Sequence, residues 1–411
     1  MLSQTRNSRT SERLCLVAGI AAFLAVLILD RGRAFSYPGQ PTFWDAHVYE
    51  RAIHAFRAGV DPYAHDSALS FVYPPIVLHA AGVLRCAVHG EVAWKLYLLL
   101  TLLSAVAIPI AIANIYLRSR WFTAGCALLV ATFHPFFTTA FSFFAGNIAS
   151  ILYASVLLAG IPGLRRNRWG WFYGAVVLAA CVKVSMLAFL LLPLLLGSQQ
   201  EVRSAAAALA VASVNAMQRI LLPAEYEAYV EAARYQVLFH SEFGFGLCST
   251  VFRIVRRTAN VPQAALVLAH LVTCGILAGA LFWARKRGVP AGLRSWWSSL
   301  VLLLAVLCNP RILAYDVAVL VLPLAYLLLE AGRVYLELKK SPLLLTGFVL
   351  AIIIALNRNA LEAYCVAAVV CFPVAGYLAY SRHVKVCAAA LRIARSTTHT
   401  AAESRSTLQL S

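Results

Sequence analysis

Acid is what this 411-residue chain has least of: Asp and Glu together number 17, against 35 Lys and Arg. Charged residues of both signs make up only 13% of the chain, hydrophobic residues 61%, and the mean hydropathy is +0.76. A soluble domain carries about 25% charged and about 45–50% apolar residues. A large soluble core is therefore excluded, and an all-helical polytopic membrane bundle is expected. The ten cysteines form no CxxC pair and no metal-ligand spacing; most lie inside apolar runs and read as small packing residues. No glycine-rich nucleotide loop and no long internal repeat is present. Low-complexity sequence is confined to the alanine patch at 205–208 and to the polar tail, which reads as disordered after Arg395. The net charge of +18 could suggest nucleic acid. The bases fall instead in short clusters between apolar runs, "LRSR" at 117–120, "RRNR" at 165–168, "ARKR" at 284–287 and "LKK" at 338–340. Cytoplasmic loops carry that signature, so the expected environment is the lipid bilayer and no nucleic-acid partner is expected.

A spanning helix needs about 20 largely apolar residues. Runs 14–30, 93–117, 121–142, 147–164, 203–222, 262–284, 313–330, 342–357 and 360–380 qualify, while 75–88, 170–182, 184–197 and 296–308 are short or interrupted. Counting the short ones gives roughly 10–13 membrane helices. The basic lead-in "RNSRTSER" sets the N-terminus inside, and "LILDRGR" offers no small-residue cleavage site, so the first run reads as a retained anchor. Residues 32–92 then form a first outer loop, in which 75–88 lies in or dips into the outer leaflet. Two short pairs of runs rise and return, one breaking at "VKVS" around Lys183 and one at "NPRILAYD". Residues 223–260 form a second outer loop. On this reading residues 1–13 and 382–411 are cytoplasmic tails flanking one membrane domain, 14–381, and "RIVRR" at 253–257 alone violates the alternation of bases.

The scarce acid is concentrated. Asp30, Asp45, Glu50, Asp61 and Asp66 lie within or just before "TFWDAHVYERAIHAFRAGVDPYAHDSALSFVYPP". Val48, Tyr49, Ala52, Ala55 and Phe56 form one apolar stripe there, opposite His47, Glu50, Arg51, His54 and Arg57. That is the pattern of a helix lying on a membrane surface, ended by Gly59 and the turn "DPY". Asp45 reads either as the cap of this helix or as a general base. His47, Glu50 and His54 share a face as metal ligands can, but more often such a set is a solvated face, and no metal is assigned. Asp61 and Asp66 read as turn residues, and Pro75 suits the start of the next helix. Elsewhere, polar groups interrupt apolar runs on the outer side: Lys183, Asn309, Arg311, Tyr315 and Asp316, with His134, Gly146 and Asn147 near helix ends. Ionisable groups at membrane depth mark functional sites by default. Lys183 and Arg311 suit phosphate contact, Asp316 reads as a partner for Arg311, and Arg253, Arg256 and Arg257 suit a lipid phosphate.

"FWDAHVYERAIHAFRAGVDPY" and "FVYPP" after a first helix, followed in order by "FFAGNIASILYASVLLAG", "GAVVLAACVKVSMLAFLLLPLLL" and "NPRILAYDVAVLVLPL", resemble glycosyltransferase family 87. That family includes polyprenol-phosphate-mannose-dependent α-mannosyltransferases and many bacterial members under a domain of unknown function. The resemblance implies a GT-C bundle in the cytoplasmic membrane, with its active site on the extracytoplasmic face and Asp45 as catalytic base. The donor it implies is a sugar, most often mannose, on a polyprenyl phosphate, and the acceptor a glycolipid or glycan. It implies no cofactor and no divalent metal. Lys183, Arg311, Asn309, Asn147, Tyr315, Arg256, Arg257 and His134 are the candidate substrate and phosphate contacts. Where the family has Gly-Gln and Lys-Pro, this chain has Gly146-Asn147 and Lys183-Val184, so the amide and the lysine are kept while the sugar and acceptor stay open.

Three other readings stand beside this one: a transporter or flippase of lipid-linked substrates, a polymerase or ligase of lipid-linked glycans, and a non-enzymatic scaffold. The topology is tested by single cysteines at positions 60 and 310 in an otherwise cysteine-free chain. Both should react with a membrane-impermeant maleimide from outside, and a cytoplasmic location for either overturns the assignment.

Overall fold

The computed structural model describes residues 43–64, 71–87, 90–117, 145–239, 263–286, 288–289, 294–313 and most of 315–327, with Val17 and Ala21. All but those two residues of the expected span 14–30, the spans 121–142, 342–357 and 360–380, Asp66, residues 240–260 and both tails lie outside the described residues. Every regular element described is helical, and no strand occurs among the described residues. In chain order the helices are α1 (Trp44–Arg57), α2 (Pro75–Ala87), α3 (Gly90–Ala111), α4 (Ala149–Ala159), α5 (Ile161–Arg166), α6 (Gly170–Val182), α7 (Leu191–Leu196), α8 (Glu201–Leu221), α9 (Pro223–Phe239), α10 (Gln263–Lys286) and α11 (Arg294–Leu307). Three of them, α3, α8 and α10, are long and apolar enough to cross a membrane. With the composition, they make this a membrane protein.

The short apolar helices are built into hairpins. Helix α6 runs 13 residues to Lys183, whose backbone is extended at φ −137°, ψ 99°. A 3₁₀ segment, Val184–Leu190, and then α7 lead back. At 1.5 Å per α-helical residue the outgoing limb is about 20 Å long. Seven 3₁₀ residues at about 2.0 Å each and six α-helical ones give a return limb of about 23 Å. The limbs match, so the chain returns to where it left. Its base is closed by Asn167, whose Nδ2 donates to Ser198 Oγ at 2.7 Å and whose Oδ1 accepts from Trp169 Nε1 at 3.0 Å and from Ser198 N at 3.1 Å. The second hairpin has the same form. Helix α11, 14 residues and so about 21 Å, reaches a turn at Cys308–Leu313, and helical turns follow through Leu327.

Both bases lie at one end of the bundle. Trp297 Nε1 donates to Leu195 O at 2.9 Å, Arg294 donates to Leu164 O at 3.3 Å, and Arg285 donates to Leu194 O and Gly197 O. The clusters "RRNR" and "ARKR" thus share this end, where arginine also satisfies carbonyls that the short helices leave open. A hydrocarbon core is about 30 Å thick, so limbs of about 20 Å cannot cross it. Their tips, Lys183 and the 308–313 turn, lie at the end of the bundle opposite these bases.

That far end is roofed by the first loop. Helix α1 buries Val48 and Ala52 of its stripe, half-buries Tyr49, Ala55 and Phe56, and exposes Arg51, His54 and Arg57; Trp44 and Ala46, outside the stripe, are also buried. It stops at Ala58 and Gly59 (φ +69°), with Val60 N donating to Ala55 O at 2.9 Å and Gly59 N to Phe56 O at 3.2 Å, a Schellman closure. Asp61 forms the expected turn by accepting from Tyr63 N at 2.9 Å, and α2 begins at Pro75 as expected. Two differences appear. Residues 223–239, read as loop, are helix α9, whose Ala228, Tyr229 and Ala232 join Val48, Ala52, Tyr63, Phe71 and Leu78 in a second small core. The expected span 147–164 is two helices, α4 and α5, meeting at Gly160, where the Tyr116 hydroxyl donates to Leu157 O at 2.9 Å.

The base of the first hairpin is packed without slack. A Cβ on Gly163 would overlap the ring of Trp169, itself wholly buried, whereas a Cβ on Gly170 would meet nothing within 4 Å. Gly163→Ala should therefore destabilise the detergent-solubilised protein by about 1–3 kcal/mol, the usual cost of overpacking. Gly170→Ala should leave its thermal midpoint unchanged or slightly raised.

Candidate functional site

The roof and the hairpin tips meet at a set of polar side chains drawn from distant parts of the sequence. Asp45 lies in the first turn of α1, where the helix dipole favours an anion. The capping reading of Asp45 is not borne out. Phe43 is the N-cap, in a left-handed conformation (φ 61°, ψ 37°), and no side chain caps the helix. The Asp45 carboxylate faces a different element: Oδ2 accepts from Asn147 Nδ2 at 2.8 Å, across 102 residues of sequence. Asn147 is fixed in turn, because its Oδ1 accepts from Ala149 N at 2.8 Å at the start of α4. The approach depends on Gly146 (φ +63°), where a Cβ would stand 3.0 Å from the Ala46 Cβ and 3.3 Å from that of Phe43. Tyr97 holds the same loop by donating to Gly146 O at 2.7 Å.

Tyrosines line this junction. The Tyr49 and Tyr73 hydroxyls are 3.0 Å apart, and Ile148 N donates to Tyr49 at 3.4 Å. Burial, followed by neighbouring tyrosines and the Asp45 carboxylate, pushes the Tyr49 phenol well above its ordinary range; burial and Asp45 do the same to Tyr73. Both stay protonated, and they act as donors or neutral acceptors. His47 stacks on Trp94 with ring centroids 5.4 Å apart.

Beneath lies the joint between the two hairpin tips. Asp316 is fully buried, and its carboxylate takes four donors. Oδ1 accepts from Lys183 Nζ at 2.5 Å and from Tyr153 OH at 2.6 Å; Oδ2 accepts from Leu313 N at 2.8 Å and from Asn309 Nδ2 at 3.2 Å. Lys183 also lies over the Tyr315 ring, 4.9 Å from its centroid. Asn309 Oδ1 accepts from Arg311 N at 3.1 Å, which shapes the turn that presents Arg311. The two layers are joined by α4, which follows Asn147 and carries Tyr153: the first holds Asp45, and the second donates to Asp316 beside Lys183.

Of the candidate residues, Asp45 meets Asn147, and Lys183, Asn309, Arg311 and Tyr315 gather around Asp316, while His134, Arg253, Arg256 and Arg257 lie outside the described residues. Asp316 was read as a partner for Arg311; its ion pair is with Lys183. Tyr49, Tyr73, Tyr97 and Tyr153 were missed as polar contributors, since an aromatic in an apolar stripe gives no sign that its hydroxyl finds a partner. Glu50 sits between His47 and His54, at 3.7 and 4.0 Å, on the exposed face of α1. No group of three metal-ligating side chains occurs among the described residues. The chain matches no protein-family model, no curated protein and no solved structure.

Gly146→Ala should loosen the junction, since it adds a close contact to a left-handed backbone that costs about 1–2 kcal/mol for a residue with a Cβ. The expected result is a lower thermal midpoint, with faster proteolysis of the 58–74 connection than of the hairpins.

Proposed function

We propose that the protein is a GT-C-type membrane glycosyltransferase that moves a hexose, mannose in the first instance, from a polyprenyl-phosphate carrier to a hydroxyl of a glycolipid or glycan. The observation that carries this reading is the placement of the Asp45 carboxylate, held by Asn147 at the start of the helix whose Tyr153 meets the Lys183–Asp316 pair, at the end of the bundle away from the "RRNR" and "ARKR" clusters. By the positive-inside rule that end is extracytoplasmic, the face on which lipid-linked donors of this class are used.

The chemistry follows from the charges. Asp45 takes the proton of the acceptor hydroxyl as general base. The oxygen attacks the anomeric carbon, the bond from that carbon to the phosphate oxygen breaks, and the bonding pair leaves with the phosphate. A diester bearing one negative charge thereby becomes a monoester that tends towards two. Fixed cations aimed at that growing charge stabilise the transition state more than the ground state. Arg311 is the principal candidate, with Lys183 behind it. The protonated Tyr49 and Tyr73 offer hydrogen bonds to sugar hydroxyls at the same junction.

Broken hairpins also favour a second reading, a transporter of lipid-linked substrates. Transporter breaks converge near the midplane, whereas limbs of about 20 Å in a core of about 30 Å carry these tips beyond it. Asp45→Asn separates the two readings. In proteoliposomes supplied with polyprenyl-phosphate sugars and a glycolipid extract, it should lower transfer at least 10²-fold, within the range general-base loss produces. Transfer at the wild-type rate removes Asp45 as the base, and lipid translocation without transfer in the wild type favours the transporter.

A further inference from the structure

Every donor to Asp316 belongs to a part of the site that must keep a fixed distance from another part. Lys183 is the tip of the first hairpin; Asn309 and Leu313 are the two shoulders of the turn that carries Arg311; Tyr153 is on α4, less than two turns below Asn147 and its bond to Asp45. One carboxylate with no exposure to solvent is the shared acceptor for all of them. Neither hairpin tip carries a continuous helical ladder that would fix it by itself, since Lys183 is extended and Asn309 and Pro310 interrupt the second helix.

We infer that Asp316 is a positioning residue that locks the two hairpin tips and α4 into one register, and so sets the spacing between Lys183 and Arg311 at which a lipid-linked phosphate is held. The inference rests on the proposed function, because the phosphate is the ligand for which that spacing matters. It assigns Asp316 no contact with substrate. Its negative charge would repel a phosphate, so in purely electrostatic terms the site would bind anions better without it. Its value lies in geometry: a resting Lys183 held against a carboxylate and two aromatic rings is already ordered before a phosphate arrives.

The two effects have opposite signs, and that makes the inference testable. The probe is decaprenyl monophosphate, the carrier without its sugar, titrated into full-length protein in nanodiscs of zwitterionic lipid. Asp316→Asn removes one negative charge and keeps the shape of the side chain. If Asp316 positions the cations, the variant should bind the probe at least tenfold more weakly than wild type. Equal or tighter binding overturns the inference and leaves the functional reading intact, whereas no binding by the wild type overturns both. Where Asp316→Asn does not yield folded protein, Tyr153→Phe carries the test. It removes one donor to Asp316 and no charge, and, measured below its lowered thermal midpoint, should weaken binding two- to fivefold; unchanged binding overturns the inference. Asp316→Glu, which keeps the charge and moves it outward by one methylene, should also bind more weakly. Wild-type affinity in that variant would show that charge alone suffices, against the inference.

Discussion

A carboxylate without solvent contact survives at membrane depth only if its lone pairs are taken and its charge is met. Asp316 meets both conditions through Lys183, Tyr153, Asn309 and the Leu313 amide. Such a pair adds little net stability compared with well-packed apolar residues, yet breaking one partner away costs about 3–5 kcal/mol because the other charge is stranded. The rest of the structure depends on that asymmetry. Two hairpins too short to cross the bilayer, each with a polar tip, have little to hold those tips inside lipid except each other. The tip of the first stays buried because the second arrives carrying an acid.

The two ends of the bundle solve the same problem differently. At the basic end, the carbonyls left open by the short helices α5 and α7 are met by arginines whose charges can reach water. At the other end, charge is balanced internally, and a separate small core of α1, α2 and α9 covers the tips. Gln218 of α8 accepts from Ile76 N at 3.0 Å, which ties the roof to a membrane helix, and His79 and Glu225, 3.0 Å apart, join α2 to α9 within the roof. The chain's scarcity of acid fits this division. Among the described residues, Asp316, Glu201, Glu91 and Glu225 lie beside Lys183, Arg285, Lys95 and His79.

Much of this was legible in the sequence because it is local. The breaks at Lys183 and at Asn309–Arg311 show as polar interruptions of apolar runs. The stripe of α1 shows its buried face, and Gly59 its end. What was not legible is pairing across distance. Nothing near Asp45 indicates that Asn147 will be its partner, and Arg311, five residues from Asp316, was the natural guess for an ion pair that forms instead with a lysine 133 residues away. Helix α9 was hidden because its polar residues read as a loop until the small core it completes is known. The overlap awaiting any Cβ on Gly163 was equally hidden, for it depends on where Trp169 turns.

That separation has a consequence for how the protein is made. Ribosomes add about 5–20 residues per second, so roughly 7–27 s pass between synthesis of Lys183 and of Asp316. Throughout that interval the first hairpin has an ammonium group at its tip and lacks the Asp316 carboxylate that it is bonded to in the finished structure. The half-built chain must either wait at the membrane surface or lodge the lysine near water, and insertion of the first hairpin is finished by the second. A ribosome that stalls between residues 183 and 316 would leave a nascent chain whose first hairpin ends in a lysine without its Asp316 partner.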